Sequence, residues 1–217
     1  MICKHKILWY FLLRKNREKE NFFGPFFLKK VHKLMSEYTL KDGRTLILRD
    51  PTLDDAQEMV DYLKIVGGET DFLLCDENGI DGLTLEGERE WITATLSAPN
   101  TKMFVGTVDG EIVLVCDVRA AARKRVSHSA EVAISIKRSC WHIGVGSIAM
   151  QTMIDFARST GELRQLSLEV REGNERAIAL YRRFGFVEVG RHKGRIQIHG
   201  EYFDEILMDL DLTLTQR

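Results

Sequence analysis

The sequence predicts a single mixed α/β domain, and three observations carry that expectation. Strand-like and helix-like periodicities alternate in the order β-α-α-β-β-β-α-β-α-β-β. A chain of 217 residues suits one well-buried domain and is short for two. No internal repeat, low-complexity stretch or Pro-rich linker divides it.

Residues 1–34 stand apart from that pattern. They hold nine Lys/Arg against two Asp/Glu, leaving 22 basic and 30 acidic residues in the remainder. The apolar run Ile7–Leu13 between basic flanks imitates a signal peptide but is short and lacks a small-residue cleavage site. It also falls below the roughly 18 to 20 apolar residues of a spanning helix. We read 1–34 as a basic N-terminal extension, with the native start expected at Met35 and the domain over 35–217. The acidic remainder disfavours nucleic acid and suits an amine substrate. Cys3, Cys75, Cys116 and Cys140 form no C-x-x-C pair or metal-like cluster, so a reduced, cytoplasmic chain without metal is expected.

From Met35 onward each element has its own signal. Thr45–Arg49 reads as a strand ended by Asp50-Pro51. Thr52 then caps an acidic first turn, and a helix runs through Leu63 until Gly67-Gly68 stops it. Asn78-Gly79 and Asp81-Gly82 mark residues 69–84 as a loop. A second helix spans about Leu85 to Leu96. Lys102–Val108 and Glu111–Val118 flank Asp109-Gly110, a hairpin signal. Ser129–Lys137 alternates as a strand, and Gly144–Ser159 has helical periodicity. Gln165–Val170 is a strand, Glu175–Phe184 a helix, and two strands over about Val187–His199 and Glu201–Leu212 complete the chain.

Gly144-Val145-Gly146 opens the long helix. Glycines there let backbone N–H groups approach a ligand, and a helix N-terminus carries about half a positive charge. The pair suits phosphate binding, although the same glycines also suit a tight strand-to-helix connection. Gly144–Ala149 additionally fits G-x-G-x-x-A, the dinucleotide fingerprint, with Glu169 at the ribose-acid distance. Arg138–Ile143 separate the strand from the first glycine, too little chain follows Glu169, and the preceding strands are hairpin-linked. We therefore set the dinucleotide interpretation aside.

A second motif lies downstream. In Asn174–Phe186, Asn174 is a good N-cap, Ala177, Leu180, Tyr181 and Phe184 share a face, and Gly185 terminates the helix. Asn-x-x-Ala-x-x-Leu-Tyr-x-x-x-Gly-Phe, about 30 residues after a G-x-G helix start, resembles the GNAT superfamily of N-acetyltransferases. Trp141-His142-Ile143-Gly144-Val145-Gly146 is similar to the W-x-x-G-x-G loop of its bacterial branch.

That resemblance implies a central mixed, mostly antiparallel sheet with helices on both faces, and acetyl-CoA as cofactor. It implies that the Ile136 backbone pairs with the pantetheine arm. Trp141, His142, Ile143, Gly144, Val145, Gly146 and Ser147 would wrap the diphosphate. Asn174 would bond the arm or a water, and Tyr181 would give the departing thiolate its proton. Unpaired strand N–H groups would stabilise the oxyanion. Two positions depart from the pattern: His142 stands where glycine is common, and Ile143 where a basic residue is common. By the same resemblance Glu131 is the leading general base, acting through water; otherwise it is an exposed strand carboxylate. His128 is the second candidate.

The expected acceptor is a primary amine of a small molecule, with a protein N-terminus or lysine as second choice. Asp71, Phe72, Cys75, Asp76 and Glu77 could meet its cation or equally form a solvated acidic loop. Tyr202 and Asp204 resemble a recurring end-hairpin pattern of this branch whose role is left undecided. No membrane partner is expected, and a homodimer is left open. The alternative from another class is an acyl-CoA-binding module without turnover; the intact Asn174 and Tyr181 favour the enzyme.

Overall fold

Short apolar runs become strands and longer 3.6-periodic runs become helices over residues 35–214, which the computed structural model describes. The strands are β1 (Met35–Thr39), β2 (Thr45–Arg49), β3 (Lys102–Val108), β4 (Glu111–Ala120), β5 (Ser129–Ile136), β6 (Gln165–Arg171), β7 (Val187–Ile198) and β8 (Glu201–Asp211). The helices are α1 (Ala56–Glu69), α2 (Leu85–Ser97), α3 (Val145–Ser159) and α4 (Glu175–Arg183). The basic extension expected over residues 1–34 lies outside the described residues.

The strands form one sheet in the order β1-β2-β3-β4-β5-β6-β8-β7. Neighbours are antiparallel except β5 and β6, which run parallel and are joined by the crossover that contains α3. The β3–β4 hairpin closes on Asp109 (φ 53°) and Gly110 (φ 84°), both left-handed as a two-residue primed turn requires.

Each face of the sheet has its own core. Leu114, Cys116 and Val118 of β4 point to one side and pack with Met150, Met153 and Ile154 of α3. Val115 and Met103 point to the other and pack with Tyr62 and Leu63 of α1 and Ile92 of α2. Helices therefore cover both faces, as expected. The period-2 alternation of strands assigns each residue to one core or the other.

Two expectations need correction. β1 precedes the first expected strand; its residues are no more than half-buried, so it lacked an apolar signal. Gly67-Gly68 does not stop α1, which continues to Glu69. A Cβ on Gly67 would lie 2.0 Å from the carbonyl oxygen of Asp76, so glycine here admits a passing chain rather than ending a helix. The Thr52 signal is real but acts one turn early. The Asp55 carboxylate accepts from the Thr52 N–H at 2.6 Å and from Arg49 at 2.8 and 2.7 Å, ordering a 3₁₀ turn that leads into α1. Among the described residues, no helix is long and apolar enough to cross a membrane.

Candidate active site

The site begins as a fault in the sheet. β5 and β6 pair only over Ser129–Glu131 and Gln165–Ser167. Beyond that rung β5 stays bonded to β4 and β6 to β8, so the two strands part and leave a wedge edged by backbone groups without a strand partner. A cavity of about 570 Å³ occupies the wedge, with Ile134–Ile136 on one wall and Glu169–Arg171 on the other. That volume is in the range of small-molecule and cofactor sites.

On the α3 face the wedge meets the glycine loop. A 3₁₀ turn over Arg138–Cys140 ends β5, and two bonds then pin the loop: Trp141 Nε1 donates to the Ile136 carbonyl at 2.8 Å, and the Lys41 N–H to the Ile143 carbonyl at 3.1 Å. His142 adopts φ 65°, which explains why glycine suits this position; the loop keeps the left-handed path and turns the imidazole to solvent. Gly144 has φ 106° and caps α3, and a Cβ there would meet open space. Its carbonyl accepts from the Ser147 and Ile148 N–H groups, while those of Val145 and Gly146 have no backbone acceptor among the described residues. Gly146 serves another purpose. A Cβ on it would come within 3.2 Å of Leu180 and 3.4 Å of Ile136, so its absence lets the loop close on α4. Donor amides at a helix start, open space beside them and a partial positive charge together fit a diphosphate.

Cations surround this end. Lys41, Arg176 and Arg183 line the cavity; Arg183 donates to Ser147 Oγ, and the Arg176 guanidinium lies 3.5 Å from the Trp141 ring centroid. Cations from α4 and the β1–β2 turn thus stand at the end where Ile143 supplies none, a placement visible only in three dimensions.

The structure brings the backbone or side chains of Ile136, Trp141, His142, Gly144, Gly146 and Ser147 to one cavity, with Asn174 and Tyr181 opposite. The Val145 side chain is instead fully buried in the core, and Ile143 packs against it, so these two offer main chain only. Asn174 Oδ1 accepts from the Ala177 N–H at 3.3 Å and caps α4, which spends the oxygen and leaves the amide nitrogen as donor. One helical face then carries Ala177, Leu180 and Tyr181 toward the cavity. Tyr181 is 7% exposed, packs on Phe186, and its hydroxyl makes no hydrogen bond among the described residues. Burial pushes its pKa up to about 12, against the weaker pull of Arg176. Such a phenol stays neutral and can donate a proton at any physiological pH.

Glu131 is not brought to this cavity. It sits on the last paired rung of β5 and β6, its carboxylate 3.8 Å from the Arg119 guanidinium. His128 lies before β5, exposed, at the paired end. The cavity's carboxylates are those of Glu169 and the buried Glu205. In the β7–β8 hairpin, Tyr202 is exposed, and Asp204 accepts from Lys193 at 2.6 Å and the Gly194 N–H at 3.0 Å. Of the 69–84 loop, Phe72 lines the cavity with Leu73 and Leu74. Sequence reasoning missed Glu205, Arg171 and Arg176; no local motif marks them.

The chain is similar to known proteins in sequence and fold. The model of the acetyltransferase (GNAT) family matches residues 71–186. The L-amino acid N-acetyltransferase AaaT of Escherichia coli (strain K12) is 29% identical over 118 residues, 54% of this chain and 73% of that protein. The crystal structure of a GNAT-family acetyltransferase from Streptococcus pneumoniae aligns with a TM-score of 0.73 at 32% identity, covering 76% of this chain and 98% of that one. YncA of Salmonella typhimurium, solved with acetyl-CoA, aligns at 0.68 with 15% identity over 79% of this chain and 96% of its own, a likeness of fold.

Proposed function

The chain belongs to the acetyltransferase (GNAT) family, and we propose that it moves an acetyl group from acetyl-CoA to a primary amine of a small molecule by direct attack. One observation carries the reading: a buried, neutral phenol with an unused hydroxyl faces the same cavity as donor amides at a glycine-opened helix start. The amino-acid acetyltransferase among its relatives is in keeping with a small amine as acceptor.

When bound, acetyl-CoA supplies a thioester that a neutral amine can attack and a thiolate that must leave. The N–H groups of Gly144, Val145 and Gly146 would hold the diphosphate, with Lys41, Arg176 and Arg183 countering its charge. The open edge of β5 near Ile136 offers hydrogen bonds to the arm, and its unpaired N–H groups suit an oxygen on which negative charge develops. The amide nitrogen of Asn174 orders the same region. Tyr181 gives its proton to the sulfur; its high pKa keeps that proton available.

The amine must shed a proton. Glu131, facing Arg119 outside the cavity, is poorly placed to receive it. Glu169 and Glu205 are better placed, and the bond between Glu205 and the exposed His192 at 3.2 Å offers a route to solvent. The test is thiol release from acetyl-CoA across a panel of amines. Release that depends on one class of amine is the expected result. Tight cofactor binding with no turnover on any amine would leave a binding module instead.

A further inference from the structure

Alternation along β6 sends Leu166, Leu168 and Val170 into the α3 core and leaves Glu169 and Arg171 on the opposite face, beside the 69–84 loop. Arg171 lines the cavity, yet the structure gives its guanidinium no carboxylate. Its Nε is buried without a hydrogen-bond partner, and no acid lies within ion-pair distance among the described residues. Glu205 stands directly opposite in the β6–β8 register but is engaged by His192 at 3.2 Å and by Arg195 at 3.8 Å. Aromatic rings hold Arg171 instead: its guanidinium carbon lies 3.6 Å from the Phe203 centroid and 5.1 Å from that of Phe72.

A guanidinium held against aromatic rings rather than by an acid keeps N–H donors for something else. Leaving a buried donor unmet is unfavourable, and the group that meets such a fork best is a carboxylate, through two parallel bonds. The cofactor's phosphates are not candidates, since the glycine loop and its cations lie toward the α3 face. We propose that Arg171 binds the carboxylate of the acceptor, so that the acceptor is a free amino acid rather than a simple amine. The wedge then reads as a zwitterion site, with Arg171 for the carboxylate and Glu169 and Glu205 for the ammonium. The inference rests on the acetyl-transfer reading and adds the substrate class.

The test is calorimetry on the whole protein saturated with coenzyme A, titrated with the twenty standard L-amino acids and with their α-amides. At least one free acid should bind about tenfold more tightly than its amide, the scale expected of a bidentate charge-assisted contact. Arg171→Gln should bring that ratio close to one, and Arg171→Lys, which keeps charge but loses the fork, should leave it in between. Three results overturn the proposal: amides that bind as well as acids, no acid that binds, or an Arg171→Gln protein that weakens acid and amide alike. Coenzyme A itself failing to bind would instead sink the acetyl-transfer reading, and this inference with it.

Discussion

The two sides of the β5–β6 wedge are made of different material. On the α3 side the site is mostly backbone: amides of residues 144–146, a carbonyl that pins Trp141, and a left-handed loop. On the α1 side it is mostly side chains, with Phe72 from a loop, Arg171 from β6 and Glu205 from β8. A backbone site needs particular residues in one short run, because glycine alone permits the path. A side-chain site draws one residue from each of several distant segments. The first kind can keep one cofactor while the second changes with the acceptor.

The sharpest way to strain that comparison is Tyr181→Phe, at the meeting of the two sides. It should lower kcat by about 10- to 10⁴-fold, the range for loss of a general acid, while coenzyme A affinity stays within a few-fold. Steady-state kinetics with calorimetry reads both, and an unchanged kcat removes Tyr181 from the chemistry.

Next comes Gly67→Ala. The added methyl would meet the Asp76 carbonyl at 2.0 Å, so the loop carrying Phe72 must move. We expect a stability loss of about 1–3 kcal/mol in a denaturant melt and a raised KM for the amine, with the KM for acetyl-CoA little changed. Equal damage to both would mean that the two sides are one mechanical unit.

Gly144→Ala probes the other side. At φ 106° a Cβ meets no atom, so the damage is conformational, about 1–2 kcal/mol. Thermal melts and coenzyme A titration should show the loss mainly in cofactor affinity, by up to about tenfold.

The smallest effect concerns pH. A tyrosine raised to about 12 keeps its proton through pH 10, where an ordinary tyrosine is half ionised. The kcat profile should therefore show no alkaline loss from Tyr181 until the pH approaches 12; a fall centred near 10 would contradict the buried setting.

Legibility in the sequence followed the same division. β2 and β3 were readable to the residue because their apolar runs end at strong turn signals. The glycine loop and the Asn174–Phe186 helix were readable because each is a contiguous run under backbone constraint. β1 was not, since an edge strand that buries little carries little pattern. Gly67 was misread because its reason lies at Asp76, nine positions away in sequence and in contact in space. Glu131 sits on the right strand but below the point where β5 and β6 part, and the length of their pairing is written in no motif. Arg171 lies one residue past the expected strand Gln165–Val170 and carries no motif; Phe72 and Phe203 meet it only in the fold.

The central claim is that the parted strands hold a thioester between the helix-start amides and the Tyr181 hydroxyl. A crystal structure with acetyl-CoA tests it most directly. Diphosphate oxygens should lie at hydrogen-bond distance, about 2.7–3.2 Å, from the Gly144–Gly146 amides, with the sulfur within reach of the phenol. A diphosphate seated elsewhere, or a sulfur that the Tyr181 hydroxyl cannot approach, would contradict it.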